Sequence, residues 1–584
     1  ANWRRSSRMS SASCKMTTEI GAGPTLAVCF GQFGPYHHAR VAALQELAKT
    51  GQGRVIPVQI AGATATYEWS ADGRRCDGLL TLCEGIEEAA SPLDVFLKAR
   101  KLFRDERVEV AFLPSYSPAR YFALFAAAKS LGIRTVMMNE SHAGTEQATG
   151  WRRWIKRQIV KRFDAALVGG EPHKRHFASL GIPAEKIFTG YDAVDNALFA
   201  ARADEVRSME HGAWSVGQEQ PEAAHLSILI SQPSTEQSLR SAYGLPERYF
   251  LSLGRMVEKK NLATLVSAYA KFCDGWRVTS DGRGPGGVAS PPQAEETGDR
   301  KQSEAVTRDK LPATRNCIPA LVFVGSGELE GALREQARGL GLRVIDRTNW
   351  KTEQNSHGLS RISTDGSERL AADRTKGNAA SSVIAYGPST ASGPPVRAGC
   401  EGPQSQAENC RPNTESSVKS DRGAVYFYGF RQIEENPVFY ALAEAFVLPS
   451  LKEEWGLVVN EAMACSLPVI VSRTAGCAED LLPGSGQVAG GGWRVTSKDA
   501  DDRKPLTDDS LEERSNGFVF DPKSSDALSE ALQRVADYGT TGLQDNGTNM
   551  LAQMGQRSRE IVAKFSCENF ARQALSAARA AQQA

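Results

Sequence analysis

Two short stretches of this 584-residue chain place charged side chains where a polyanion or a hydroxylated ligand could be held. The first is Leu251-Ser-Leu-Gly-Arg-Met-Val-Glu-Lys-Lys-Asn-Leu262. Its apolar start reads as a strand ending at Gly254. The stripe Leu262, Leu265, Val266 and Tyr269 reads as the buried side of a helix that begins near Asn261, a suitable N-cap type. Arg255 then stands at the carboxyl end of a strand, and Lys260 at the mouth of the next helix. In open α/β sheets that crevice is where ligands bind, and helix N-termini favour anions. Two cations there could clamp a diphosphate, or they could be solvated charges at a strand end.

The second stretch runs Phe446-Val-Leu-Pro-Ser-Leu-Lys-Glu-Glu-Trp-Gly-Leu-Val-Val-Asn-Glu461 and continues as Ala-Met-Ala-Cys465. Glu453 falls in the loop after a strand, and Glu461 falls inside the following helix. Leu457, Glu461 and Cys465 share a helical face because they are spaced by four. Carboxylates at those two places can accept hydrogen bonds from the paired hydroxyls of a ribose or hexose. An acid on so apolar a helix face is unlike ordinary surface charge. A third loop, Gly325-Ser-Gly327 with Asp346 beyond it, imitates a dinucleotide fingerprint. It lacks the third glycine: position 330 is Glu, and Gly331 comes one residue late. A nicotinamide-dependent dehydrogenase is therefore not expected. In the first half of the chain, Phe30-Gly-Gln-Phe-Gly-Pro-Tyr-His-His38 joins a strand to a helix, and Glu140-Ser-His142 follows another strand. His142 is the stronger candidate and His37 the weaker, with loop histidines of no role as the alternative for both.

The elements that must carry these loops form two series. Short apolar runs alternate with helical patterns, as in parallel sheets covered by helices. The first series is 25–30, 55–60, 108–113, 135–139 and 165–168. The second is 249–253, 321–324, 425–428, 445–448 and 469–472, with 518–520 as a sixth. The expected division is a disordered segment 1–23, a first Rossmann-like domain 24–204, a linker 205–244, a second domain 245–560 and a C-terminal helix 561–584. Stretches 276–317, 343–423 and 484–514 are rich in Gly, Pro, Ser, Thr and charge and read as insertions. Residues 151–163 form a basic amphipathic helix with Trp151, Trp154, Ile155, Ile159 and Phe163 on one side. That side reads first as packing on the sheet and second as contact with an anionic membrane.

Charge and cysteine usage narrow the class. With 69 Lys+Arg against 68 Asp+Glu, the chain lacks the cationic excess of a nucleic-acid binder. Its 11 cysteines contain no C-x-x-C pair, and the odd count suits reduced thiols. No apolar run approaches the roughly 18 residues that span a bilayer. The basic N-terminal residues lack the apolar core of a secretory signal. A cytoplasmic protein, peripheral on the inner membrane face if the 151–163 helix binds lipid, is the expectation.

Taken together, Gly254-Arg255 with Lys260, Val324-Gly-Ser-Gly-Glu328 and Glu453-Glu-Trp-Gly-Leu-Val-Val-Asn-Glu461 resemble the retaining GT-B glycosyltransferases of family 4. The resemblance covers most of the chain outside the insertions. It implies an α/β fold of two Rossmann-like, doubly wound domains facing a cleft, with the donor held mainly by the second. It implies that Arg255 and Lys260 hold the donor diphosphate, that Glu453 touches the transferred sugar, and that Glu461 holds the ribose. Gly327, Gln432 and the backbone of Gly456, Leu457 and Val458 complete the donor side, and Gly34, His37 and His142 belong to the acceptor side. A nucleotide-diphosphate sugar is the implied donor, and a glycan, a lipid-linked molecule or a small molecule the acceptor. Neither a metal nor a cofactor is expected. Asn261 departs from the family, which often has glycine after the lysine. A nucleotide-sugar epimerase and a catalytically silent sugar-nucleotide-binding protein are the rival readings.

Overall fold

The computed structural model describes residues 23–51, 53–64, 75–210, 239–276, 317–350, 423–483, 515–541 and 549–583. Segment 1–22, most of the expected linker and nearly all of the three expected insertions lie outside them.

Two seven-stranded sheets organise the chain, and every strand pair in both is parallel. The first contains β1 (Thr25–Phe30), β2 (Arg54–Gln59), β3 (Leu80–Thr81), β4 (Val110–Leu113), β5 (Arg134–Asn139), β6 (Ala165–Val168) and β7 (Ile187–Thr189), in the order β3-β2-β1-β4-β5-β6-β7. The second contains β8 (Tyr249–Leu253), β9 (Ala320–Val324), β10 (Arg343–Asp346), β11 (Ala424–Phe427), β12 (Ala445–Leu448), β13 (Val469–Ser472) and β14 (Gly517–Phe520), in the order β10-β11-β9-β8-β12-β13-β14. This is the α/β, doubly wound GT-B architecture expected. Each sheet has a hydrophobic cluster on both faces, so central strands such as β4, β6 and β12 are buried throughout. Burial on both faces is why those strands read as unbroken apolar runs.

The helices that concern the site follow the strands. They are α1 (Pro35–Thr50), α2 (Pro92–Asp105), α3 (Ala119–Ser130), α4 (Gly150–Val160), α5 (Glu171–Ser179), α6 (Asn196–Glu210), α7 (Leu239–Tyr243), α8 (Leu262–Gly275), α9 (Glu330–Gly339), α10 (Asn436–Ala441), α11 (Leu457–Ala464), α12 (Ala478–Leu481), α13 (Ser525–Thr541), α14 (Met550–Val562) and α15 (Cys567–Gln582). The last returns to the first sheet. Phe570, Ala574, Ala577 and Ala581 recur at helical spacing and join the cluster that contains Ala39, Val41 and Leu44 of α1.

Three strands were not anticipated: β3, β7 and β10. Each is at a sheet edge, where one partner and one buried side suffice, so no long apolar run is required. The case of β10 moves a boundary. Arg343–Asp346 opens the stretch read as an insertion, yet it pairs residue for residue with Ala424–Phe427. Trp350 just beyond it donates from Nε1 to the Ala242 carbonyl at 2.7 Å. At the other end of the expected linker, α6 continues through residue 210 and α7 occupies Leu239–Tyr243.

Candidate functional site

The loops at the carboxyl ends of β8, β9 and β11 are joined backbone to backbone. Gly254 N donates to Val324 O (2.9 Å), Met256 N to Ser326 O (2.9 Å) and Gly325 N to Gly429 O (2.7 Å). A Cβ on Gly325 would lie 2.0 Å from Gly254 O, and one on Gly327 would lie 2.5 Å from Met256 O. Both glycines of the fingerprint-like loop are thus required by the close approach of the loops after β8 and β9. Arg255 leaves this platform as an exposed side chain. Gln432 follows on the loop beyond β11, where its backbone N–H donates to the Glu435 carboxylate at 3.4 Å.

Lys260 ends a short 3₁₀ turn, and Asn261 follows with φ +57°. That left-handed conformation explains why glycine suits the position and why Asn is the next best choice. Asn261 precedes α8 but does not cap its amides. Its Nδ2 donates to Pro449 O (3.0 Å) and Pro522 O (2.8 Å), tying together the loops after β12 and β14.

Lys260 Nζ pairs with Glu453 Oε2, and Ser450 Oγ donates to the same oxygen at 2.9 Å. Gly456, with φ +108°, starts α11; a Cβ there would lie 2.9 Å from Leu448 and 3.4 Å from the Glu453 side chain. Leu457 and Val458 form the first turn of that helix. One turn further on, Glu461 is fully buried. Its carboxylate accepts from Tyr36 Oη (2.5 Å), Tyr440 Oη (3.1 Å) and Asn436 Nδ2 (3.5 Å). Burial raises its pKa to about 7 against the opposing pull of those three donors. The two acids therefore differ in kind: Glu453 is paired with a cation, and Glu461 is met by hydroxyls and an amide.

The first sheet reaches this site with side chains. Tyr36 comes from α1. His37 beside it stacks on Phe30 (4.0 Å), and its Nδ1 accepts from Gly34 N (3.1 Å). Burial and then Arg40 hold its pKa down to about 3, so it is neutral. His37 and Gly34 thus spend their polar atoms on starting α1. His142, after β5, is buried and hydrogen-bonds through Nε2 to the Glu453 backbone carbonyl at 3.0 Å. It meets the Glu453 loop through main chain.

Sequence reasoning missed three groups here. His173, in α5 after β6, makes the same kind of bond to Glu454 O at 2.9 Å. A histidine within five residues of the end of two successive strands was the available signal. Tyr36 was passed over between two histidines. Glu140 and Asp192 are neighbouring carboxyls, and burial raises both.

Helix α4 corrects the favoured reading of residues 151–163. Only its last turn packs: Val160 and then Phe163 are buried, whereas Trp151 is 68% exposed, Trp154 63% and Ile155 41%. Exposure is greatest toward the helix N-terminus, while Lys156 turns inward to Glu146 at 2.8 Å. Among the described residues, no helix is long and apolar enough to cross a membrane, and no group of three or more His, Cys, Asp or Glu is placed to hold a metal ion.

Comparison with known proteins gives a local match and broad likenesses of shape. The family model described as glycosyl transferases group 1 matches residues 398–504. Over 57 residues, the chain is 39% identical to O-antigen chain mannosyltransferase B of Escherichia coli, a match that spans 10% of this chain and 15% of that relative's length. HepE of Anabaena in complex with UDP is similar over 95% of this chain and 98% of its own, at 13% identity and a TM-score of 0.48. Sucrose-phosphate synthase of Thermosynechococcus elongatus is similar over the same shares, at 14% identity and 0.48. Both sequence matches are local, and both are to glycosyltransferases.

Proposed function

We propose that the chain transfers a hexosyl group from a nucleoside-diphosphate sugar to an acceptor hydroxyl, with retention at the anomeric carbon. One observation carries the reading: two unlike carboxylates, eight residues apart, lie at the mouth of β12. One is held by Lys260, and the other is buried among hydroxyl and amide donors. Glu461 is assigned to the ribose, whose hydroxyls would take the place of protein donors now on that carboxylate. Arg255 and Lys260 are assigned to the diphosphate, whose charge grows as the glycosidic C–O bond breaks. The amides of Gly456, Leu457 and Val458, at the start of α11, add positive potential on the same side. Gln432 and Gly327 border the nucleotide, and Glu453 orients the sugar. His142 acts on that sugar by fixing the Glu453 main chain. In this reading residues 24–204 are the acceptor domain, residues 245–560 the donor domain, and segment 561–584 closes the chain back on the first.

A thermal-shift screen of UDP, GDP and ADP sugars, mannose among the sugars, tests donor binding, and product analysis follows. An epimer formed without acceptor favours an epimerase, binding without turnover favours a silent binder, and inverted product overturns retention. Helix α4 is assigned to an anionic membrane at its cytoplasmic face, because Trp151, Trp154 and Ile155 are exposed beside Arg152, Arg153 and Arg157. Sedimentation with anionic but not zwitterionic vesicles, lost in a Trp151→Ala, Trp154→Ala double variant, is the expected outcome. Equal sedimentation of that double variant and wild type overturns the assignment.

A further inference from the structure

We infer that His173 is a positioning residue for the reaction centre, holding the Glu453–Glu454 main chain in the register that presents its carboxylates to Lys260 and Lys259. The inference rests on the reading of Glu453 as a group beside the transferred sugar.

The geometry is a matched pair. Gly144 N donates to His142 Nδ1 and Gly170 N to His173 Nδ1, each at 3.2 Å. A nitrogen that accepts carries no hydrogen in the neutral ring, so in both histidines the proton is on Nε2. Those two N–H groups donate to consecutive carbonyls, Glu453 O at 3.0 Å and Glu454 O at 2.9 Å. The rings meet edge to face at 5.3 Å, and His173 also lies 5.6 Å from the Trp455 ring. Burial holds His173 down to about 4, which keeps it in this neutral form.

The loop is gripped from the other side as well. Gly476 N donates to Glu453 O at 3.1 Å. A Cβ on Gly476 would lie 1.9 Å from Glu454 O and 2.9 Å from the His173 ring, so the ring and residue 476 enclose that carbonyl between them. On the other wall, a Cβ on Gly169 would lie 2.9 Å from Trp455, and one on Gly170 would lie 2.0 Å from Asp480. Fixing two successive carbonyls fixes the peptide planes between them, and with those the directions of the adjoining side chains. Glu453 then points at Lys260, and Glu454 at Lys259 Nζ, 3.0 Å away. Because both histidines belong to the first sheet, the carboxylates are aimed by the half of the molecule that does not carry them.

Gln, Asn and Ala at position 173 separate this role from simple packing. A Gln amide extends about as far as the imidazole Nε2 and can still donate to Glu454 O, whereas the shorter Asn cannot. Turnover of a nucleotide sugar by the wild type is measured first, then donor dissociation constant, kcat, KM and Tm for each variant. We expect His173→Ala and His173→Asn to lower kcat about tenfold or more with donor affinity nearly unchanged, and His173→Gln to recover most of the loss. Equal impairment of Gln and Asn, or an unchanged kcat in His173→Ala, overturns the inference alone. If His173→Ala does not fold, the Gln and Asn pair decides. Absence of wild-type turnover overturns the reading of the site and the inference together.

Discussion

The two sheets build their shares of the site by different means. On the second sheet the loops after β8, β9 and β11 touch through bare backbone, with Gly325 against Gly254 and Gly327 against Met256, and the charged groups stand on that platform. The first sheet also has backbone bonds between its loops, Ala61 N to Gly31 O (3.1 Å) and Gly190 N to Gly169 O (2.9 Å), but these carry none of the charged groups assigned to the donor. Its share arrives as individual side chains, Tyr36, His142 and His173, each reaching one acceptor atom on the opposite half. The platform should be intolerant of added volume and indifferent to side-chain chemistry. The reaching side chains should behave the other way round.

The largest effect is expected where the platform meets the chemistry. Lys260→Ala removes a cation from the proposed diphosphate site and strands the Glu453 carboxylate, which is only 7% exposed. A fall in kcat of about a hundredfold or more follows, and Arg255→Ala should approach it. Near wild-type steady-state rates in both variants would remove the basis for placing a diphosphate there.

The two acids sharpen the contrast. Glu453→Gln should depress kcat, whereas Glu461→Gln should mainly raise the donor KM, because a ribose contact is made in ground and transition state alike. Glu461 also has a pH signature. Its folded pKa, about 7, is above the unfolded value near 4.5. Its contribution to stability is therefore complete below pH 4.5 and is lost as pH rises through 7, by about 3 kcal/mol in all. Denaturant titrations of wild type and Glu461→Gln should show the wild type losing ground to the variant across that window. Parallel pH curves would mean that Glu461 is not titrating there.

Much of this was legible in the sequence, and the losses share a cause. Strands buried on both faces, such as β6 and β12, announced themselves as apolar runs, and β3, β7 and β10 did not because an edge strand needs no such run. At the site, the Glu453 and Glu461 pair was readable because its spacing is local. Tyr36 was not, because its partner is 425 positions away, and His173 reaches across 281. Local periodicity carries no information about contacts that form only when two domains meet. Asn261 was read as a helix cap from its type, and the left-handed φ that governs the position became visible only in the fold.

The platform can be tested by adding a single methyl group. Gly325→Ala forces a Cβ toward Gly254 O at φ +127°, so a loss of about 3 kcal/mol is expected, with several degrees in Tm. Gly331, in α9, has nothing within 4 Å of its Cβ position. There the same change should stabilise by under about 1 kcal/mol through helix propensity. Similar losses at both would mean that the close approach of the two loops is not what constrains them.

The smallest expected effect concerns Asn261, where backbone and side-chain strategies meet in one residue. Its φ of +57° favours glycine, while its amide spans two loops by bonding Pro449 O and Pro522 O. Replacement by glycine keeps the conformation and removes those two bonds and a third, which Asn261 Oδ1 accepts from Thr264 Oγ1 at 2.8 Å. With those bonds gone, the net loss should be about 1 kcal/mol. Replacement by alanine removes the same bonds and adds the strain of a left-handed residue with a Cβ, about a further 1 kcal/mol. The predicted order of stability is therefore Asn, then Gly, then Ala, with the two steps similar in size. Chemical denaturation of the three proteins reads both steps. If Gly equals Asn, the side-chain bonds contribute nothing and the position is purely a backbone requirement. If Gly equals Ala, the left-handed conformation is not what sets residue choice at the entrance to α8. Activity supplies the second half of the test, since Lys260 is the neighbouring residue. Loosening the tie between the loops after β12 and β14 should lower kcat by no more than a few fold, provided the Lys260–Glu453 pair holds the loop on its own.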